Sequence, residues 1–481
     1  MRNFKYIWVF GLLITLAIIA IPLIIFLPGD VESNAQDPWD FVPVREPATN
    51  HVPLMPGPYE TGTQVTQRCL ECHAETAFEV MDTVHWTWKG DPVQVTGRPE
   101  PVEIGKRNVL NNFCIGIQSN WEGCTSCHAG YGWDSADFDF SDETRIDCLV
   151  CHDGTGSYVK GDSGYPLEGV DLAYVAQNVS APNRETCGGC HFDGGGGNAV
   201  KHGDLDQHLI NPSENTDIHM GGQDFLCTDC HRSQDHVISG RSITVSLNTE
   251  EGQVACRDCH SEDSHDDERL NTHTDSVACQ TCHVPVGAVK DPTKMYWDWS
   301  TAGQDRPEDP HEYLKIKGSF VYEQDFVPEY YWYNGIQDRY LIGDTFDPSE
   351  PLIMNPLEGS INDPKARIMP FKVHRATQPY DTVHNYLLQP KTVGEGGFWT
   401  DFDWDQALRL GSQVVALDYS GEYGFAETWM YWPLTHMIAP GSDALQCNAC
   451  HAEEGRLDWA ALGYPGDPIE WGGRFATGRQ P

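Results

Sequence analysis

The chain repeats Cys-x-x-Cys-His eight times: CLECH, CTSCH, CLVCH, CGGCH, CTDCH, CRDCH, CQTCH and CNACH. Random placement of its 17 cysteines and 20 histidines would give ~0.02 such pentapeptides, so the repeat is a chemical requirement. A structural zinc would use Cys-x-x-Cys without needing the adjacent histidine each time. A redox dithiol would occur once, beside a βαβ pattern, and a disulfide scaffold needs no histidine at all. Covalent haem needs the whole set, because two thiols add to the porphyrin vinyl groups and the next residue turns its imidazole onto the iron. The attachment pairs are then Cys69 and Cys72, Cys124 and Cys127, Cys148 and Cys151, Cys187 and Cys190, Cys227 and Cys230, Cys256 and Cys259, Cys279 and Cys282, and Cys447 and Cys450. The proximal ligands are His73, His128, His152, His191, His231, His260, His283 and His451. One cysteine, Cys114, is left over.

Electron-transfer haems usually take a second histidine. Twelve stand outside the motifs: His51, His85, His202, His208, His219, His236, His265, His273, His311, His374, His384 and His436. His236 and His265 each follow a proximal histidine by five residues. His219, His273 and His436 precede their next motifs closely, as in HMGGQDFLCTDCH, and His85 follows the first motif. These six are read as distal ligands, with His202 as a seventh; the alternative for each is an ordinary polar histidine.

These groups must be positioned by a chain with little core of its own. Apolar residues make up 40% of it, with 46 Gly and 31 Pro, and there is one motif per about 60 residues. The expected fold is mainly α with much irregular coil, a multihaem cytochrome c fold wrapped around its porphyrins. The first seven motifs occupy residues 69–283, and the eighth follows at 447–451. Between them, Val284 to Gln446 is free of motifs and aromatic: MYWDW, FVYEQDFVPEYYWYNG, FWTDFDWD, ETWMYWP. Alternation in SFVYE and the Tyr/Trp run predict a small β-containing insertion that packs on the array. The organisation is thus 1–35, an N-terminal signal; 36–283, seven haems; 284–446, the aromatic region; and 447–481, the eighth haem and a C-terminal wrap.

The N-terminal apolar run, Ile7 to Leu27, follows Arg2 and Lys5 and is long enough to span a membrane. A retained anchor is the preferred reading; cleavage after Ser33-Asn34-Ala35 is the alternative. Both put the haem-bearing body outside the cytoplasm. The net charge of −40 excludes nucleic acid as a partner. It fits a solvated acidic surface or docking to a basic redox partner, and any anion site must be compensated locally.

Two segments depart from the repeat. NNFCIGIQSNWEGCTSCHAG puts the extra cysteine before the second motif, and CGGCHFDGGGGNAVKHGDLD puts four glycines before a lysine. With the count of eight, the long gap and the ending CNACHAEEGRLDW, they resemble the octahaem tetrathionate reductase family over nearly all the chain after residue 65. Hydroxylamine oxidoreductase shares the haem count but would lack the GGGGxxVKHGDLD pattern. The resemblance implies seven bis-histidine haems and a reactive one at the second motif, held by Cys124, Cys127 and His128. It implies Lys201 on the distal side of that haem, with Cys114 nearby. It also implies tetrathionate, nitrite and hydroxylamine as substrates, unranked, fed by a redox partner protein or a quinol-linked donor.

The residues support that chemistry independently. An amine binds iron only when neutral, so Lys201 must be buried enough to lower its pKa. It is then more easily displaced than imidazole. Cys114 is either an inert buried thiol or a group that exchanges with sulfur substrates. PFKVHRATQPYD places Lys372 and His374 on one face of an extended segment, with Arg375 beside them. The alternatives are an anion-binding, proton-delivering pair at the pocket or a surface ion-pair network. A non-catalytic electron conduit is the rival function, and it requires every iron to be firmly six-coordinate. Calcium binding cannot be read from the sequence and stays open, as does a homo-oligomer. Intact mass of the denatured, reduced holoprotein should show eight covalent haems and an unmodified Cys114; a lower haem count would defeat the reading of every motif as loaded.

Overall fold

The computed structural model describes Leu12, Thr15, Leu16 and residues 37–95, 97–114, 116–240 and 253–474. Contacts divide the chain into Met1–Pro43 and Val44–Pro481. In the first unit, Asp37 caps a single 3-10 turn, Pro38–Phe41. The expected anchor, apart from Leu12, Thr15 and Leu16, lies outside the described residues, and among those described no helix is long and apolar enough to cross a membrane.

In the second unit the helices are short and the cysteine motifs sit on or beside them. In a helical turn, residues i and i+4 share a face, so the first cysteine and the histidine of each motif point the same way. The closing bond runs from the histidine N–H to the first cysteine's carbonyl at His73 (2.9 Å), His152 (3.1 Å), His231 (2.8 Å), His260 (2.9 Å) and His451 (3.0 Å). Two more motifs lie within the helices Arg184–His191 and Cys279–His283. The second motif differs: His128 N–H donates to Thr125 O, a tighter turn that ends the motif on its own geometry.

Helix exceeds strand, as expected, but the β element is larger than a small insertion. Seven strands form one sheet: β1 Thr293–Asp298, β2 Tyr313–Leu314, β3 Gly318–Glu323, β4 Glu329–Tyr333, β5 Leu352–Ile353, β6 Arg367–Asp381 and β7 Tyr423–Pro433. Their order is β2-β3-β1-β6-β7-β5, with β4 also on β6. β6, 15 residues long, is the spine. It pairs antiparallel with β7 along Phe371–Asp381, parallel with β1, and antiparallel with β4. The aromatic segments that look like packing material are these strands. Tyr, Trp and Phe suit a pleated surface covered on both sides.

Alternation along β6 separates two faces. Phe371 and Val373 pack with Tyr431 and Tyr331 on one. Lys372, His374 and Ala376 lie on the other, cross-strand from Trp432, Met430 and Thr428 of β7. Onto this second face the loop carrying Cys114 is pinned: Asn112 Nδ2 donates to His374 O (2.7 Å) and Thr428 O (3.1 Å), and Gln378 Nε2 to Asn111 O (2.9 Å). Phe371 has 0% exposure, so Phe371→Ala should cost about 3–5 kcal/mol. Denaturant unfolding should show this loss while the haem absorption spectrum of the folded protein stays unchanged.

Candidate haem array and the second-motif site

Six motif histidines each face a second histidine, with ring centres 6.0 to 6.4 Å apart: His191 with His85, His152 with His236, His260 with His219, His231 with His436, His283 with His265, and His451 with His273. A metal held by two imidazole nitrogens at about 2 Å each spaces the ring centres about 6 Å apart. The rings are oriented for this. Nδ1 hydrogen bonds to the protein at His152 (Ser180 O, 2.9 Å), His231 (Ser239 O, 2.9 Å), His451 (Asp467 Oδ1, 2.6 Å), His236 (Glu79 Oε2, 2.8 Å), His265 (Asn271 Oδ1, 3.1 Å), His273 (Arg269 O, 2.7 Å) and His436 (Asp204 Oδ2, 3.2 Å). That leaves Nε2 for iron and fixes its tautomer. At these six pairs the residues present fit c-type haem; at the second motif His128 Nε2 is engaged by Trp86 O instead, so that ring must turn before it can hold an iron.

Thiols of different motifs also meet. Cys69 contacts Cys148, Cys127 contacts Cys190, Cys187 contacts Cys227, and Cys256 contacts Cys279. Looser approaches join Cys187 to Cys151, Cys230 to Cys259, and Cys282 to Cys450. Numbered along the chain, the motifs therefore run 1-3-4-5-6-7-8 in space, with the second attached at the fourth.

Two motif histidines face no second histidine among the described residues: His73 and His128. His202, expected as a distal ligand, turns its ring to Trp432 instead, 4.9 Å away and edge-on. Residue 51, which the spacing argument left unassigned, is near His152, as is His73. His51 Nδ1 hydrogen bonds to Thr49 O at 2.7 Å, the kind of contact that also holds His236, His265, His273 and His436.

His128 has no exposure and lies among the rings of Trp86, Trp88, Trp133, Phe138 and Phe140. Its Nε2 is 2.7 Å from Trp86 O, and its Nδ1 has no partner. Burial lowers its pKa to about 3. The helix Val84–Thr87 thus serves two motifs, with His85 facing His191 and the Trp86 carbonyl holding His128. Beneath the motif, Lys160 Nζ donates to His128 O and Gly130 O and pairs with Asp147 at 2.9 Å. Asp147 accepts from Tyr131 (2.8 Å) and Tyr158 (2.9 Å).

The two odd residues of the sequence converge on this motif. Cys114 lies close enough to Cys124 to raise its thiol pKa, although burial is the larger cause. Lys201 Nζ lies 5.2 Å from the centre of the Trp432 ring and 6.0 Å from that of Phe113. Burial, and then the charge of Lys106, lowers its pKa to about 7, while Cys127 acts against them. The glycine loop allows this approach. A Cβ on Gly194 would sit 3.1 Å from Lys201 Cδ, and one on Gly195, at φ +86°, would be 2.6 Å from the Phe113 ring.

Lys372 and His374 are both at 0% exposure on the face of β6 turned toward Lys201. Lys372 is not free to meet a substrate: Nζ donates to Val200 O (3.0 Å), Lys201 O (3.1 Å) and Thr293 Oγ1 (2.5 Å), holding the backbone that carries Lys201. Burial lowers the pKa of both side chains. Arg375 is on the opposite face, paired with Glu329 at 2.8 Å and over the Trp429 ring. Elsewhere, Asp206, His208 and Asp291 gather metal-type donor atoms, but Asp206 already accepts from the backbone N–H groups of His208 and Asp291.

Fold and motifs together define a multihaem c-type cytochrome. A model of the family described as bacterial cytochrome c matches residues 294–454, the sheet and the eighth motif. An uncharacterized protein of Archaeoglobus fulgidus is 21% identical over 238 residues, 39% of this chain and 79% of its own length. The crystal structure of octahaem cytochrome c from Shewanella oneidensis is 47% identical, superposes with a TM-score of 0.83, and matches 88% of this chain and 98% of that one. This chain belongs to the octahaem cytochrome c family. Asp147→Ala would leave Lys160 as an uncompensated buried cation and should cost about 3–5 kcal/mol. Thermal unfolding should show that loss, with a smaller one for Asp147→Asn.

Proposed function

We propose that this chain is an extracytoplasmic reductase of small inorganic substrates carrying eight c-type haems, with its substrate site at the second motif. The observation that supports this most is the contrast between motifs: six motif histidines face a second imidazole, whereas at the second motif a buried amine lies near Cys127 and a further thiol, Cys114, near Cys124. The proximal ligands are the eight motif histidines. The distal ones would be His85, His219, His236, His265, His273 and His436 on the partners they face, His51 for the first motif in place of His202, and Lys201 for the second.

Cys124, Cys127 and, with its ring turned from Trp86 O, His128 would hold a haem that supplies redox chemistry with electrons from the other seven. The chain's own residues do the rest. Lys201, kept near neutrality by burial, is a displaceable amine, and once displaced it holds a proton beside the bound molecule. The rings of Phe113 and Trp432 shield that amine from water. Lys372 fixes the peptide on which it swings. Cys114 offers a thiol for exchange with a sulfur–sulfur bond. The substrates this suits are tetrathionate, nitrite and hydroxylamine, with electrons from a redox partner protein or a quinol-linked donor docking on the acidic surface.

The second reading, a conduit without catalysis, is favoured by the six facing pairs taken alone. Lys201→Leu separates the two. One haem should become high-spin or water-ligated, and catalytic efficiency should fall roughly 30-fold, about 2 kcal/mol of transition-state stabilisation. Cys114→Ala should leave the spin state untouched and reduce tetrathionate turnover more than nitrite turnover. Lys201→Leu altering neither spectrum nor any activity would hand the lead to the conduit.

A further inference from the structure

Behind Cys114 the protein buries a cation that the ligand assignments do not use. Lys294, on β1, is 3% exposed. Its Nζ donates to Phe113 O at 2.9 Å and lies 4.3 Å from the centre of the Trp297 ring and 5.1 Å from that of Phe320. No carboxylate makes an ion pair with it among the described residues; its electrostatic neighbours are Cys114 and Lys317. An ammonium has three donors, and one carbonyl with two ring faces is poor compensation for a buried charge. The register of β1 against β3 shifts between Lys294 and Tyr296. Such a bulge re-aims side chains.

The adjacent strand supplies a second unused group. His374 has no exposure and neither ring nitrogen has a partner. It lies within electrostatic reach of Lys294 and Lys372. Trp432 Nε1 and Asn112 Oδ1, which flank the same face, are also buried without partners. Orphaned buried polar atoms are rare enough that a group of them on one wall marks a place for a polar ligand. The wall holds donors and a titratable amine, and Cys114 and Phe113 lie against it. A neutral guest would leave Lys294 without a counterion. An anion would compensate it and satisfy His374.

We propose that Lys294 and His374 form the oxyanion-binding wall of the Cys114 pocket, so that the site selects small inorganic oxyanions over neutral molecules of similar size. This rests on the second-motif reading above and adds the chemical class of the guest. In a chain of net charge −40 it also supplies the local compensation that an anion requires.

The test uses oxidised holoprotein, in which binding is measured without turnover. Calorimetric titration with nitrite and with hydroxylamine compares an oxyanion with a neutral molecule. Lys294→Met should weaken nitrite binding about ten-fold more than hydroxylamine binding, and Lys294→Arg should recover most of the loss. In steady state the same variant should raise KM for nitrite with little change in kcat. If Lys294→Met does not yield folded protein, His374→Phe reads the same selectivity. Equal losses for both ligands, no loss, or no nitrite binding by the parent protein would each overturn the proposal. Selective nitrite binding in a parent that turns nothing over would uphold the anion wall and defeat the reductase reading.

Discussion

Two imidazoles held about 6 Å apart by residues from distant parts of the chain are the constraint on which this molecule is built. His231 faces His436, and His273 faces His451 across the whole aromatic region. With an iron between its rings, each pair would be a long-range cross-link that closes a loop apolar packing alone would hold poorly. The protein's own clusters are correspondingly small and scattered, a few side chains apiece under each loop. Short helices suffice because they need only carry a cysteine and a histidine on one face. Hydrogen bonds to Nδ1 then orient seven of the twelve paired rings, work that a regular core would otherwise share.

The second motif is built by a different rule. Where other motifs close a helical turn onto the first cysteine, this one turns tighter, and its histidine is enclosed by five aromatic rings. Its support is polar and buried: Asp147 with two tyrosines and Lys160 below, Lys372 behind the lysine loop. Buried networks of this kind add little net stability but fix geometry when every member is satisfied. The sheet earns its length here. β6 is long enough for one end to pair with β4 while the middle presents Lys372 and His374 to the site.

The motifs were fully legible because covalent haem demands residue types at fixed spacing, with no tertiary information. Spacing also singled out six histidines that face motif histidines in the structure. Which motif each one faces was not legible: His85 follows the first motif yet faces the histidine of the fourth. His51 has no nearby motif spacing to mark it, whereas His202 follows the pattern-bearing lysine and drew attention for its neighbourhood. Strand alternation correctly separated Lys372 and His374 from their surroundings, but it could not say that Lys372 spends its donors on backbone carbonyls. Lys294 was missed because DPTKMYWDW offers no period that buries a lysine; a bulge in the register does that. The sheet was underestimated because aromatic runs separated by long irregular loops look like packing until the strands between which they pair are known.

Surface and site have opposite electrostatics, and the difference follows from solvation. The chain carries 71 acidic and 31 basic residues, and most of that excess faces water, where solvent and salt screen it within about 10 Å. Lys201, Lys294 and Lys372 are instead taken out of water around one loop and one strand pair, each with its pKa driven down by burial. Three amines so close are tolerable as neutral groups or with an anion among them, and costly as free cations. An incoming oxyanion therefore gains most where it is fully desolvated beside them, and almost nothing at the rim. Selectivity for charge can then reside in the pocket wall while the acidic exterior stays free to meet a basic electron donor.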